Sequence, residues 1–161
     1  MRVPRTIPIA LSLMSAAWLG ACSSAPPKPQ PIKMNIVVSS DVNPDAANRP
    51  SPIVIRVYQL KDDAAFKEAD FFALNDKEQA TLAAALVSRE EFELAPGEHR
   101  AVDYKLSPDA HFVGVAAAFR DIRNAQWRSE IGAPDKGLVN VVKKNKIGVA
   151  VDRAKVSIAP E

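Results

Sequence analysis

The residues able to do chemistry in this 161-residue chain are few. Its one thiol, on Cys22, is the strongest nucleophile available. The two histidines, His99 and His111, stand twelve positions apart and lack the spacing of a metal pair on one helix or hairpin. Glu90-Glu91 and Asp62-Asp63 are adjacent carboxylates. On a strand neighbouring side chains point to opposite faces, so Glu90 and Glu91 do not converge on one substrate and read as solvated charges. The glycines are scattered, and no glycine-rich loop is present to cradle phosphate. Lys143-Lys144-Asn145-Lys146 is the one basic cluster; it reads as a polar hairpin turn, with contact to anionic headgroups or peptidoglycan as the alternative. We therefore expect no enzyme, no metal and no cofactor apart from a covalent group on Cys22.

The surroundings of Cys22 say what that group is. Met1-Arg2-Val3-Pro4-Arg5 is basic, Ile7 to Leu19 is apolar apart from Pro8, Ser12 and Ser15, and Gly20-Ala21 are small. A basic start, an apolar centre of about 7–15 residues and a small-residue end define a secretory signal. The run is shorter than the ~20 residues of a membrane span. Residues 1–21 are thus expected to be a signal peptide. Leu19-Gly20-Ala21-Cys22 resembles the lipobox of bacterial lipoproteins, which implies cleavage before Cys22 and acylation of its thiol. It also explains a lone cysteine in an exported chain. Ser23 stands where an Asp would retain such a protein at the inner membrane, which suggests the outer membrane. Without Arg2 and Arg5 the 21 Lys+Arg fall to 19, equal to the 19 Asp+Glu. The net charge of +2 is then a property of the signal, and gives no case for nucleic-acid binding. The remaining 140 residues suffice for one domain with one core.

Residues 22–31, with Pro26, Pro27, Pro29 and Pro31, read as an extended lipidated linker, and residues 32–161 as the domain. Alternation of Met34, Ile36 and Val38 with polar residues predicts a half-buried strand. Residues 40–51 hold Asp41, Asn43, Pro44, Asp45, Asn48, Arg49 and Pro50 and read as a loop long enough to be functional. Pro52 to Leu60 is β-branched and apolar, a second strand. Lys61 to Leu86 has no Gly or Pro and predicts short helices capped by Asp62 or Asp63, by Asp70, and by Asn75 or Asp76, the last running through Leu82 and Leu86. Strand signals resume around Phe92–Leu94, Val102–Leu106, Phe112–Phe119, Trp127–Ile131, Leu138–Val142, Ile147–Val151 and Val156–Ile158. Phe112 to Phe119 is apolar on both faces, as a central strand is, with Gly and Ala leaving room for close packing. Trp127 reads as core. Many short strands predict a mainly-β sandwich with a short helical insertion between early strands.

Taken in order, several stretches resemble one family. They are Asn48-Arg49-Pro50-Ser51-Pro52, Val57-Tyr58-Gln59-Leu60, Ala69-Asp70-Phe71-Phe72-Ala73-Leu74, Pro96-Gly97-Glu98, Val113 through Asp121, and Trp127-Arg128, all behind a lipobox. The chain from Cys22 to about Val151 is similar to the TssJ (SciN) family, the outer-membrane lipoprotein of the type VI secretion system. The resemblance implies a transthyretin-like two-sheet β-sandwich, anchorage in the inner leaflet of the outer membrane and a face toward the periplasm. It implies as partner the periplasmic C-terminal region of TssM, with TssL in the same membrane complex. It also implies that the loop between the first two strands takes part in TssM contact. Here that loop offers Asp41, Asn43, Asp45, Asn48 and Arg49 as polar contacts and Val42 as an apolar one. Two other functions remain open: a periplasmic lipoprotein holding a small ligand among Phe71, Phe72 and Trp127, and an assembly factor that lends an edge strand to clients.

Overall fold

The computed structural model describes residues 28–134 and 146–161. The expected signal peptide, Cys22, the strand at 138–142 and the lysine turn before Lys146 lie outside the described residues. The alternating segments form strands β1 (Gln30–Val38), β2 (Ile53–Leu60), β3 (Leu86–Leu94), β4 (His99–Leu106), β5 (Phe112–Ala117), β6 (Arg128–Gly132), β7 (Lys146–Val151) and β8 (Val156–Pro160). They make two four-stranded sheets, in the orders β4-β1-β7-β8 and β3-β2-β5-β6. β1 begins inside the expected linker, where Gln30 and Pro31 pair with Leu106 and Lys105. All neighbours are antiparallel except β1 and β7, which run parallel. The mainly-β two-sheet sandwich read from the sequence is therefore the fold.

The core follows from period-two alternation. Ile32, Met34, Ile36 and Val38 of β1 and Ile147, Val149 and Val151 of the neighbouring β7 pack in one core with Ile53, Ile55 and Val57 of β2 and Val113 and Val115 of β5 in the other sheet. All are at most 2% exposed, so each contributes close to its full burial, roughly 1.5–3 kcal/mol for a Val- to Ile-sized side chain. One open side of the sandwich is laced shut. Gln126 receives a hydrogen bond on its carbonyl from Val156 N–H and donates its own N–H to Ala154 O, both 2.9 Å, which ties β6 to β8. Near the other side the buried Gln59 amide donates to Lys105 O at 2.8 Å and accepts from Ser107 N–H at 2.7 Å, joining β2 to the end of β4.

The insertion between β2 and β3 consists of α1 (Ala64–Glu68), α2 (Phe71–Asp76), α3 (Glu78–Leu82) and a 3-10 turn (Ala83–Ala85). Helices this short are not stable alone, so they depend on what they cover. Phe66, Leu74 and Leu82 pack with Tyr58, Leu60 and Ala116 as a second core on the outer face of β2 and β5. This second layer is why β5 is apolar on both faces. The Phe66 ring sits on Gly114, where a Cβ would meet ring atoms at 2.9 Å. Arg128 donates to the carbonyls of Phe66, at 2.9 Å, and Ala69, and its guanidinium lies 4.7 Å from the Trp127 ring centre.

The caps are partly as expected. Asp70 accepts from Ala73 N–H at 2.9 Å and caps α2, and Asp62 receives Ala64 N–H at 3.3 Å ahead of α1. The third cap is a correction. Lys77, not Asn75 or Asp76, precedes α3, because α2 runs on through Asp76, and Asn75 donates its side chain to Asp76. Nor does α3 reach Leu86, which opens β3 by pairing with Leu60.

Candidate functional site

The register places the loops at one end. Val38 lies opposite Val151, Val37 opposite His99, Ile53 opposite Leu94, and Ala116 opposite Arg128. The segments β1–β2, β3–β4, β5–β6 and β7–β8 therefore gather at the end of the sandwich where β1 finishes, the upper end. The start of β1, the end of β4 and the start of β7 share the lower end.

The β1–β2 loop is built, not slack. Asp45 closes its tip: its carboxylate accepts from Ala47 N–H (2.8 Å), Arg49 N–H (3.0 Å) and Arg49 Nε (2.8 Å), with a further ion pair to Arg49 Nη2 at 2.7 Å. The N–H and guanidinium of Arg49 hold the Asp45 carboxyl below the usual carboxylate range. Asn48 takes a left-handed φ of +60°, which asparagine tolerates better than most residues, and accepts from Arg153 Nη2 at 2.8 Å. Asp41 accepts from Ser39 Oγ and lies 3.8 Å from Arg153 Nη1.

Asn43 joins this loop to its neighbours. It is 4% exposed with φ +48°. Its Nδ2 donates to Pro52 O and its Oδ1 accepts from Arg120 N–H, both at 2.8 Å, while its own N–H bonds Arg153 O at 3.0 Å. One asparagine thus spans the β1–β2, β5–β6 and β7–β8 segments. Between them opens a groove of about 670 Å³, whose walls include Pro44, Asp45, Asn48, Arg120, Asp121 and Arg153.

Of the six loop residues expected as contacts, Asp41, Asp45, Asn48 and Arg49 lie on or beside this surface within one hydrogen-bonded unit. Val42 is corrected: it is 0% exposed and belongs to the sandwich core. Val42 N–H bonds Ser39 O (3.3 Å) and its carbonyl takes Ser51 N–H (3.1 Å), which turns the side chain inward as a plug. Asn43 is likewise a support whose polar atoms are spent on backbone. Arg120 and Arg153 enter the site without having been singled out for it. The Val113-to-Asp121 stretch pointed to Arg120, whereas Arg153 carries no sequence signal, since only the parallel β1–β7 pairing brings it there.

Elsewhere the chemistry is sparse. His99 and His111 are exposed, at the start of β4 and just before β5. Glu91 is engaged by Arg56 and Arg89, both at 2.8 Å, and Glu90 is exposed. Among the described residues no group of three or more His, Cys, Asp or Glu side chains could share a metal ion. Phe71 contacts Phe72 and Trp127 edge to face at 5.5 and 5.3 Å, and Phe72 is 63% exposed. Trp127 is half buried and packs against both cores. The crevice beside Phe71 holds about 20 Å³, room for about one water and far below a ligand pocket.

Residues 30–154 match the family model of the type VI secretion lipoproteins (SciN, VasD, EvfM, TssJ). Among solved structures the chain is similar to the T6SS lipoprotein TssJ1 from Pseudomonas aeruginosa, at 32% identity over 83% of this chain and 97% of that one, with a TM-score of 0.75. It is similar to a chain of a type VI membrane complex at 30% identity, over 81% of this chain and 98% of that one, with a TM-score of 0.68. It is also similar to a chain of a structure described as the T6SS protein TssM C-terminal domain from EAEC, at 29% identity over 80% and 99% of the two chains, with a TM-score of 0.65. No curated protein matches the sequence.

Proposed function

The chain belongs to the type VI secretion lipoprotein family, and from that membership we propose that it is a non-catalytic tether. It is acylated at Cys22, held in the inner leaflet of the outer membrane, faces the periplasm, and grips the periplasmic C-terminal region of TssM in a membrane complex that also contains TssL. The observation that carries this reading is the opposition of the two ends. The segment leading from Cys22 enters β1 at the lower end, and the loop groove lies at the upper end. A strand rises about 3.3 Å per residue, so the 9 residues of β1 put roughly 30 Å between the point of attachment and the loops. One acyl chain anchors only marginally, and the several chains of a mature bacterial lipoprotein anchor firmly. A loop already fixed by Asp45, Asn43 and Arg153 loses little freedom on binding, which leaves more of the contact energy as affinity.

Two experiments on full-length protein in cells test this. Cys22→Ser is expected to abolish palmitate labelling and release the protein from the outer-membrane fraction; a mutant that still labels and floats with outer membrane refutes the anchor. Asp45→Ala with Arg49→Ala is expected to lower co-purification of TssM while the sandwich stays folded. Undiminished capture removes the β1–β2 loop from the interface. Against the small-ligand alternative, among the described residues Phe71 and Trp127 contact one another and the crevice beside Phe71 is far too small for a ligand.

A further inference from the structure

Among the described residues no helix covers the outer face of the sheet β4-β1-β7-β8, and its lower part is basic. Outward-facing positions alternate along the strands: Lys33 on β1, Asp103 and Lys105 on β4, and Lys146 on β7, all exposed. Lys33 has Asp103 opposite it on one side and Lys146 on the other, and Lys105 lies opposite Pro31. The three lysines and Asp103 line one groove of about 340 Å³. None of the three lysines is in an ion pair among the described residues, Asp103 included. The carboxylate of Glu161 takes the side-chain amide of Asn35 at 2.5 Å. Exposed Lys28 precedes β1 by two residues. In a mature chain with equal numbers of basic and acidic residues, this is a local excess of unpaired cations.

We propose that this lysine face is a docking surface for anionic phospholipid headgroups. Two observations select that occupant. Three ammonium groups around an open groove are complementary to surface phosphates. The groove also lies at the lower end, beside the entry of the segment from Cys22. Eight peptide steps from Cys22 to Gln30 span at most about 28 Å, so the face cannot leave the neighbourhood of a leaflet that holds Cys22. The proposal rests on acylation at Cys22 only for that placement. Its consequence is orientation: the lysine face rests on lipid and the loop groove points away from it.

The test uses the full-length chain carrying Cys22→Ser, exported without lipid, purified and mixed with vesicles at low salt. It is expected to float with phosphatidylethanolamine–phosphatidylglycerol vesicles and not with phosphatidylcholine vesicles, and to be released by salt. A lysine near an anionic surface is worth about fivefold in partitioning. Replacing Lys33, Lys105 and Lys146 by Ala should therefore lower partitioning by roughly a hundredfold, with an unchanged thermal midpoint because all three are exposed. Absence of flotation, equal flotation with neutral vesicles, undiminished partitioning of the triple variant, or capture by peptidoglycan sacculi in place of vesicles each overturns the proposal. Because this protein carries no lipid, such a failure leaves the Cys22 anchor standing. Loss of the anchor would show separately, as absent palmitate labelling of the unmutated chain.

Discussion

Replacing Asn43 with Ala should uncouple the loops while leaving the sheets intact. The change removes two 2.8 Å hydrogen bonds, from Nδ2 to Pro52 O and from Arg120 N–H to Oδ1, at a site 4% exposed. Each backbone group left without its partner costs about 1 kcal/mol where water can enter and up to about 3 where it cannot. Alanine at φ +48° adds about 1 kcal/mol of left-handed strain that asparagine partly avoids. Pro52 and Arg120 are exposed, so water can reach both freed groups and the total is about 3 kcal/mol, within a typical folding stability of roughly 5–15 kcal/mol. The variant should therefore fold, with its midpoint lowered by about 10 °C. The loss should be local first. Hydrogen exchange at the amides of Arg120 and Ser51, which close onto the loop, should speed up by about a hundredfold, while Ile55 and Val115 in the core change only with global stability. Asn43→Gly removes the same bonds without the strain, so the difference between the two variants is the strain less the extra unfolded-chain entropy of glycine, about 0.4–1 kcal/mol. A variant within about 0.5 kcal/mol of wild type, with Arg120 as protected as before, would show that this asparagine decorates the junction and does not hold it.

Two other perturbations probe the layers beneath. Gly114→Ala puts a methyl where the Phe66 ring lies 2.9 Å away; the ring must lift, and we expect a loss of about 1–3 kcal/mol with faster proteolysis within residues 61–85, measured by limited digestion. An unchanged digestion pattern would mean that the insertion does not rest on β5. Burial pushes the phenols of Tyr58 and Tyr104 up to about 12. Their folded values exceed the unfolded value near 10, so the stability they contribute is full below pH 10 and is lost as pH rises from 10 to 12. Each should lose on the order of 2 kcal/mol across that window, and thermal midpoints of Tyr58→Phe and Tyr104→Phe should decline less steeply there than those of the wild type. Parallel declines would place the alkaline sensitivity elsewhere.

What the sequence made legible was whatever local period and turn chemistry determine. The alternation of Met34, Ile36 and Val38 gave β1, and the run of Asp, Asn and Pro after it gave the loop. The two-faced apolar run at Phe112–Ala117 correctly marked an inner strand, since one face meets the other sheet and the other carries Phe66. Asp70 announced α2 because a side-chain cap is a local event. Local reasoning failed where a second segment decides. Leu86 continues the spacing of Leu82, but Leu60 recruits it into a strand. Val42 stands among polar residues and reads as an exposed contact, yet the Ser39 and Ser51 bonds direct it into the core. Arg153 reaches Asn48 across 105 positions, through a parallel pairing that no local pattern encodes. The lysine face escaped for the same reason: Lys33, Lys105 and Lys146 are far apart in the chain and adjacent only in register.

The path of β1 has a mechanical meaning. Its first residue, Gln30, follows the segment from Cys22, its last, Val38, leads into the loop groove, and it lies inside its sheet between β4 and β7. Under the tether proposed above, a pull on the loops against an anchor at Cys22 would stretch the domain along this one strand. The hydrogen bonds to β4 and β7 stand across that direction, or slant across it in the parallel pair. Such a load must shear the bonds on both flanks together and cannot peel them one by one. The two ends of β1 are the two points where a taut cable would be clamped.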